Sequence, residues 1–198
     1  QLFPAQKFDD RIAPFRDDSP PYVLTSLFPR AGEIRFYPKP LLPVGSSTEK
    51  NGSRSLKNIR KIAYVSESVF RSLISGRSLS TLIRDDCLLQ GGSVLISESD
   101  IPSLPAHVRK TGRIWEMTVR PRVTISRTDS TTELFHLAET RFAQDCGLWL
   151  GVRWMTESAA EAKAELETLL TELGEIGIGA ERSIGLGQFK WTSAAAVS

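Results

Sequence analysis

The chain predicts an α+β fold in which an antiparallel sheet carries helices on one side. Three observations predict it. Residues Ile114 to Ser126 alternate strictly, with Trp115, Met117, Val119, Val123 and Ile125 on one face and Glu116, Thr118, Arg120, Arg122, Thr124 and Ser126 on the other. Period-2 alternation of this length marks a half-buried antiparallel strand. Ser158 to Leu173 carries an apolar stripe of Ala162, Leu166, Leu169, Leu170 and Leu173 behind a Ser158/Glu161 capping box, with Gly174 as its stop. A glycine-rich stretch, Gly177 to Phe189, follows that helix directly and leads into a strand expected over Leu186 to Trp191. The C-terminal region therefore reads strand, strand, strand, helix, glycine loop, strand, an order that suits one sheet layered against helices.

The N-terminal region is harder ground for helices. Pro4, Pro14, Pro20, Pro21, Pro29, Pro38, Pro40 and Pro43 fall in the first 45 residues, a density that excludes long helices and central strands. Two extended pieces survive, Tyr22 to Phe28 and Glu33 to Tyr37, with Arg30-Ala31-Gly32 as a turn. Gly45 to Ser55 is a polar loop. An apolar stretch covers Ile59 to Val65. Ser66 then caps a short helix bearing Val69, Phe70, Leu73 and Ile74, with Gly76 at its stop. After Leu88-Leu89, Ser93 to Ser97 reads as a strand. Pro102, Pro105 and Gly112 make 98–112 a long loop or a boundary, which divides the chain into 1–112 and 113–198. Arg127 to Thr132 is a polar turn. Leu134 to Phe142 and Leu148 to Trp154 are two further strands joined at Asp145-Cys146-Gly147, and Pro121 places the 114–126 strand at an edge or a bulge.

Composition bounds the function. With 198 residues, 40% hydrophobic and 24% charged, the chain is an ordinary globular protein with room for one large or two small domains. No run of 18 apolar residues predicts a membrane span, and no apolar signal segment opens the sequence. The chain begins at Gln1, which reads as a fragment or a processed piece. Cys87 and Cys146 lack metal-ligand spacing and read as reduced, buried thiols of a cytoplasmic protein. The formal charge is only +2, so any contact with nucleic acid must come from local patches.

Three such patches are legible. Gly177, Gly179, Gly185 and Gly187 surround Arg182 and Ser183 within eleven residues. Glycines let a ligand approach the main chain, and an arginine grips phosphate with two parallel hydrogen bonds. The loop either holds a phosphodiester backbone or makes a tight helix-to-strand crossing. It is not a Walker A loop, which needs Gly-Lys before Ser or Thr, and not a dinucleotide fingerprint, because Arg182 stands where the third glycine would fall and a helix precedes the loop. That order also counts against a small-ligand module holding a nucleotide phosphate. Lys50, Arg54, Lys57, Arg60 and Lys61 fall within twelve residues that contain no acid, as a solvated linker or a nucleic-acid contact. Arg120, Arg122 and Arg127 form a basic stripe, or simply a solvated face.

A catalytic constellation does not emerge. His107 lies in a proline-flanked loop, and His136 lies mid-strand on the face of Leu134, Ala138 and Phe142, where it should face the core. The pairs Asp9-Asp10, Asp17-Asp18 and Asp85-Asp86 read as solvated loop charges rather than metal ligands. No cofactor is expected, and the chain reads as a binding protein rather than an enzyme.

Gly177-Ile178-Gly179-Ala180-Glu181-Arg182-Ser183-Ile184-Gly185-Leu186-Gly187-Gln188-Phe189 resembles the glycine-rich loop of the RAMP superfamily of CRISPR-associated proteins, and within it the fourth Csm subunits of type III-A effector complexes. Thr25-Ser26-Leu27-Phe28-Pro29 and Phe36-Tyr37-Pro38-Lys39-Pro40-Leu41-Leu42 are similar to that family's proline-marked strand pair. Lys61-Ile62-Ala63-Tyr64-Val65-Ser66 with Phe70, Arg122-Val123-Thr124-Ile125-Ser126-Arg127 and Gly147-Leu148-Trp149-Leu150-Gly151-Val152 resemble its later segments in the expected order. Ala180 stands where the family often has Gly, and Ser126 where it often has Asp. The family's first strand, first helix and C-terminal extension have no counterpart, so the chain resembles the middle of a longer subunit.

The resemblance implies two ferredoxin-like (RRM-like) modules, the second degenerate. The 1–112 region would be an incomplete N-terminal module with insertions, and 113–198 a C-terminal one with the glycine-rich loop. It implies a noncatalytic subunit that holds the 5′ repeat tag of CRISPR RNA and docks on the large polymerase-like subunit and on backbone RAMP subunits, away from any membrane. The implied RNA-binding residues are Gly177, Gly179, Arg182, Ser183, Gly185, Gly187, Lys39, Arg120, Arg122, Arg127, Arg54, Lys57, Arg60 and Lys61. A thumb hairpin would come from 45–61 or from 127–133. The alternative within the superfamily is a CRISPR RNA-processing endoribonuclease, for which His136 would be the base. The missing first strand would leave the N-terminal sheet an open edge.

Overall fold

Short apolar segments cut apart by proline and glycine favour short strands, and the chain is built from them. The structure is a computed structural model that describes residues 5–41, 59–125, 132–156 and 159–194. In chain order its elements are α1 (Ala5–Arg16), β1 (Tyr22–Leu24), β2 (Phe28–Ala31), β3 (Ile34–Pro38), β4 (Tyr64–Ser66), α2 (Glu67–Ile74), α3 (Leu79–Leu82), β5 (Leu88–Leu89), β6 (Val94–Leu95), α4 (Ala106–Thr111), β7 (Trp115–Ile125), β8 (Thr132–Phe142), β9 (Cys146–Trp149), β10 (Val152–Trp154) and α5 (Ala159–Ile176). The fold class is α+β, as expected. The chain forms two units, Ser26–Leu150 and Gln1–Thr25 with Gly151–Ser198. The expected 112/113 boundary falls inside the first of them.

The Ser26–Leu150 unit is organised by a six-stranded sheet of order β5-β6-β4-β3-β2-β9. Neighbours pair antiparallel except β4 and β6, which run parallel through a crossover that includes α2. The β2–β3 hairpin turns at Gly32-Glu33, with Gly32 at φ +57°, rather than at Arg30 to Gly32. Arg30 and Ala31 are thereby strand residues facing Arg35 and Ile34. Phe36, Ile62, Val65, Val94, Leu95, Ile96, Val108 and Ile114 are fully buried, and Val69 and Leu73 seat α2 on them. Each such side chain contributes about 1.5–3 kcal/mol of burial.

Ser66 caps α2 in position but not in chemistry. Its backbone is extended at the N-cap, yet its side chain makes no cap bond. The buried hydroxyl instead donates to Asp100 Oδ2 (2.6 Å) and accepts from the Ser97 N–H (3.3 Å). Asp100 also accepts from the Ser68 hydroxyl (2.9 Å) and, in a capping box, from the Ser97 N–H (3.2 Å).

The long loop expected over 98–112 is instead a 3-10 turn, Glu98–Ser103, followed by α4. Proline is tolerated at a helix start, where its missing N–H is not needed. Here Pro105 takes the N-cap and Gly112 ends the helix in the left-handed conformation. His107 accordingly lies on α4 and is exposed, not in a loop. Among the described residues the β7 strand pairs only with β8, in a two-stranded ribbon of eleven residues each. Pro121 is thus at an edge, as expected. The ribbon is not half-buried: Met117 (68%), Val119 (57%), Val123 (57%) and Leu134 (63%) are exposed, because no layer of the described residues covers their face. His136 pairs with Pro121 on that face and is exposed too, which corrects its expected place against the core. The polar turn at 127–131 lies outside the described residues.

In the other unit β1 and β10 pair antiparallel, Tyr22 opposite Trp154. The expected single strand from Leu148 to Trp154 therefore splits at Leu150-Gly151 between two sheets. Tyr22, Ala162 and Leu166 form a small core with Val152, Trp154 and Leu170. The Tyr22 ring meets Phe15 (5.4 Å) and Trp154 (5.8 Å) edge-on. Arg11 on α1 pairs with Glu165 on α5 at 2.7 Å.

The α1 helix itself overturns the expectation that proline density excludes helix here. Within its span only Pro14 occurs, in the last turn, where the lost bond shortens the helix rather than breaking it. Gly174 does not stop α5. The helix runs to Ile176 with Gly174 buried inside it, and Leu173 is 38% exposed. Ser158 of the expected capping box lies outside the described residues, and no strand forms over 186–191.

The Ser66–Asp100 cluster should be measurable. Asp100→Ala leaves the buried Ser66 hydroxyl without its acceptor and should cost about 1–3 kcal/mol. Asp100→Asn, which keeps a carbonyl oxygen in place, should cost less. Urea unfolding midpoints read the difference, and an unchanged midpoint for Asp100→Ala would remove the cluster from the account of stability.

Candidate nucleic-acid interface

The glycine-rich loop begins where α5 runs out of partners for its last carbonyls. Gly177 N–H donates to the Leu173 carbonyl (2.7 Å), Ile178 N–H to the Gly187 carbonyl (2.9 Å), and Phe189 N–H to the Gly174 carbonyl (3.1 Å). The returning chain therefore runs back along the end of the helix. Two side chains hold it there: Gln188 Nε2 donates to the Glu175 carbonyl (3.0 Å) and Trp191 Nε1 to Thr171 Oγ1 (3.0 Å).

The glycines divide into two kinds. At the base, two backbones touch and a side chain has no room. A Cβ on Gly187 would overlap the Ile178 carbonyl oxygen, and one on Gly177 or Gly174 would lie 2.8 Å or 2.5 Å from the carbonyl oxygens of Leu186 or Phe189. Toward the apex, Gly179 (φ +104°) and Gly185 (φ +79°) would meet nothing within 4 Å. Between them Arg182–Ile184 forms one 3-10 turn. Arg182 and Ser183 are exposed, and Arg182 has no ion-pair partner among the described residues. The base is a tight backbone crossing, although no strand follows the helix as the helix-to-strand reading required, and the apex leaves the Arg182 and Ser183 side chains and the backbone at Gly179 and Gly185 exposed. Sequence reasoning missed Gly174, Gln188, Trp191 and Thr171, whose roles depend on the return path of the chain.

The other predicted residues lie in the Ser26–Leu150 unit. On the polar face of the ribbon, Glu139 (16% exposed) binds Arg120 at 3.0 Å and Arg141 at 3.7 Å. Arg122, exposed on the same strand face as Arg120, has no such partner among the described residues. Lys39, past the end of β3, is half-buried and donates its Nζ to the Ile59 carbonyl (2.8 Å), so it ties two segments together. Arg60 and Lys61 are exposed. Lys50, Arg54, Lys57 and Arg127 lie outside the described residues.

Among the described residues no group of three or more His, Cys, Asp or Glu could hold a metal ion, and no helix is long and apolar enough to cross a membrane. Asp9 pairs with Arg16, and Asp86 with Arg84, which also holds Glu98. Both cysteines are free thiols, and burial pushes each up from its ordinary value. Neither is poised as a thiolate nucleophile.

Gly185 and Gly187 share φ +79° but differ in what surrounds them. A side chain at either meets the same left-handed strain, about 1–2 kcal/mol. Only at Gly187 does the Cβ also strike backbone. Gly187→Ala should lower stability by roughly 1–3 kcal/mol more than Gly185→Ala. Equal urea midpoints for the two variants would show that the base does not close as described.

No protein-family model matches the sequence, and no curated protein is similar to it. Solved structures do share the fold. Over 90% of its length the chain matches a chain in the crystal structure of a Csm3–Csm4 subcomplex of the type III-A CRISPR-Cas interference complex, at TM-score 0.63 and 16% identity. It matches a chain of a Csm1–Csm4 cassette in complex with cA4 over 87% of its length (TM-score 0.53, 17% identity), and one in complex with pppApA over 85% (TM-score 0.52, 17% identity). It spans about half of those solved chains, 55%, 55% and 53% respectively. The chain therefore shares its fold with a chain in each of these Csm4-containing assemblies.

Proposed function

We propose that this chain is a noncatalytic, RNA-binding subunit of a type III CRISPR effector complex that holds the 5′ repeat tag of CRISPR RNA. In this reading it docks on the large polymerase-like subunit and on backbone RAMP subunits, in the cytoplasm, as part of antiviral defence. The observation that carries the reading is the fold shared with Csm4-containing assemblies over 90% of the chain. The sheet with its β4–α2–β6 crossover would be the first ferredoxin-like module. The short β1–β10 pair with α5 and the glycine loop would be the degenerate second.

The loop supports a phosphate-holding role because its base is closed by backbone packing while its apex stays open. Gly179, Arg182, Ser183 and Gly185 would face the phosphates, with Gly177 and Gly187 holding the shape. Arg122, which has no ion-pair partner among the described residues, would be the ribbon cation that meets RNA. Of the two thumb candidates, the 127–133 turn is favoured, because it joins two strands of eleven residues that, among the described residues, pair only with each other. The ribbon's exposed apolar face is suited to a base or to a neighbouring subunit.

Two measurements test the reading. RNA that copurifies with the chain and its partner subunits should begin with one repeat-derived tag. Arg182→Ala should weaken binding of that tag by roughly 1–3 kcal/mol, the scale of a charge-assisted hydrogen bond. Unchanged affinity at physiological salt, with the fold intact, would reject the loop's role. Incubation with repeat RNA should yield no cleavage; cutting that disappears in His136→Ala would overturn the noncatalytic assignment in favour of a processing endoribonuclease.

A further inference from the structure

One face of the six-stranded sheet carries side chains that neither core uses. The register places Phe28 and Arg30 of β2 beside Trp149 and Gly147 of β9, and Arg30 opposite Arg35 of β3. Tyr37, two residues past Arg35, shares their face. Phe28, Tyr37 and Trp149 are half-exposed, and none of them belongs to either hydrophobic core. Their rings adjoin, Phe28–Trp149 at 5.5 Å and Tyr37–Trp149 at 4.9 Å, with Phe70 of α2 stacked beyond Tyr37. Arg35 lies over the Trp149 ring at 6.0 Å. Trp149 is fixed by its Nε1–H bond to the Phe36 carbonyl (3.1 Å), and Arg30 by donation to the Gly32 carbonyl (2.9 Å).

The charges on this face are of one sign. Neither Arg30 nor Arg35 has an ion-pair partner among the described residues, and no strand position on this face of β2, β3 or β9 is acidic. The acids at its margin are Glu33 in the hairpin turn, Asp145 before β9 and Glu67 on α2; the last is bound by Arg71 at 2.8 Å. Surface rings held rigidly on neighbouring strands, with arginines between them and acids only at the margin, where Glu67 also hydrogen-bonds the Tyr37 hydroxyl, match what single-stranded nucleic acid requires. Bases stack on the ring faces, and the guanidinium groups neutralise phosphates. A purely apolar protein partner would leave both arginines buried without a counter-charge, a strongly unfavourable outcome.

We propose that the β2-β3-β9 face, through Phe28, Tyr37, Trp149, Arg30 and Arg35, is a second binding surface for single-stranded RNA, separate from the glycine loop. It does not rest on the loop's assignment. The full chain would be titrated with a short fluorescent oligoadenylate, and with a duplex of the same length. Phe28→Leu keeps an apolar contact with Trp149 but removes the ring; it should weaken single-strand binding on the order of tenfold and leave the salt dependence alone. Arg35→Gln should weaken binding and lower the slope of log K against log salt by about 0.7, the release of one phosphate's counterions. RNA carrying 4-thiouridine should crosslink to peptides containing Phe28, Tyr37 or Trp149.

Losses from Arg182→Ala should add to those from Phe28→Leu, since the two sites share no partner. If Arg182→Ala is silent while Phe28→Leu is not, the loop assignment fails and this one stands. Wild-type affinity in both Phe28→Leu and Arg35→Gln, at unchanged melting temperature and without crosslinks to these peptides, overturns it. So does a Phe28→Leu variant that binds RNA normally but no longer captures a co-expressed partner subunit, which would make the face a protein interface.

Discussion

Among the described strands of the larger sheet, only β4 and β6 pair in parallel, and the Ser66 hydroxyl ties the ends of that pair together. Parallel strands cannot close through a tight turn, so the chain must leave β4, cross over and return. Ser66 sits where β4 ends and α2 begins, fully buried, and its hydroxyl reaches Asp100 and the Ser97 N–H just after β6. The exit of one strand and the exit of the other are thereby joined. With that joint made, Val65 and Leu95 lie side by side, and Val69 and Leu73 of α2 drop onto them. The neighbouring β3 and β2 then inherit their register, which carries Arg35, Tyr37 and Phe28 to one face.

The glycine loop obeys a different constraint. Its shape comes from main chain meeting main chain, where no side chain could intervene. A loop held this way loses little freedom when a ligand arrives, so less of the contact energy is spent on ordering it. The side-chain bonds of Gln188 and Trp191 extend the closure along α5 beyond the glycines themselves. An open apex on a closed base makes a rigid loop, and the backbone crossing explains why glycine is needed at Gly174, Gly177 and Gly187.

How far the sequence disclosed all this depended on whether the deciding partner was local. The α5 stripe, the β7 and β8 alternation and the Ser66 cap position are local patterns, and they were legible. The burial of β7 was not: alternation shows that one face is apolar but not whether a third layer exists to cover it. Proline counting misjudged α1, because a single proline in a last turn does not forbid a helix. Gly174 read as a helix stop, though its real reason is Phe189 fifteen residues on, crossing at 2.5 Å from where its Cβ would lie. The loop residues of the candidate site were legible as a motif. Their division into base and apex was not, since it depends on where the chain returns.

Charge placement follows from the same distinction. A formal charge of +2 provides no long-range field, so affinity for a polyanion has to be local. Many of the described arginines are already committed: Arg11 to Glu165, Arg71 to Glu67, Arg84 to Asp86 and Glu98, Arg113 to Glu116, and Arg120 with Arg141 to Glu139. An arginine held by a carboxylate must break that pair before it can grip phosphate, so it gains little by doing so. Arg182, Arg122, Arg30 and Arg35 carry no such obligation among the described residues. They stand respectively at an open glycine apex, on an unpartnered ribbon and among half-exposed rings. Under the proposed RNA-binding role, uncommitted cations set beside uncovered backbone or aromatic surface, rather than net charge, would carry the affinity of this near-neutral chain.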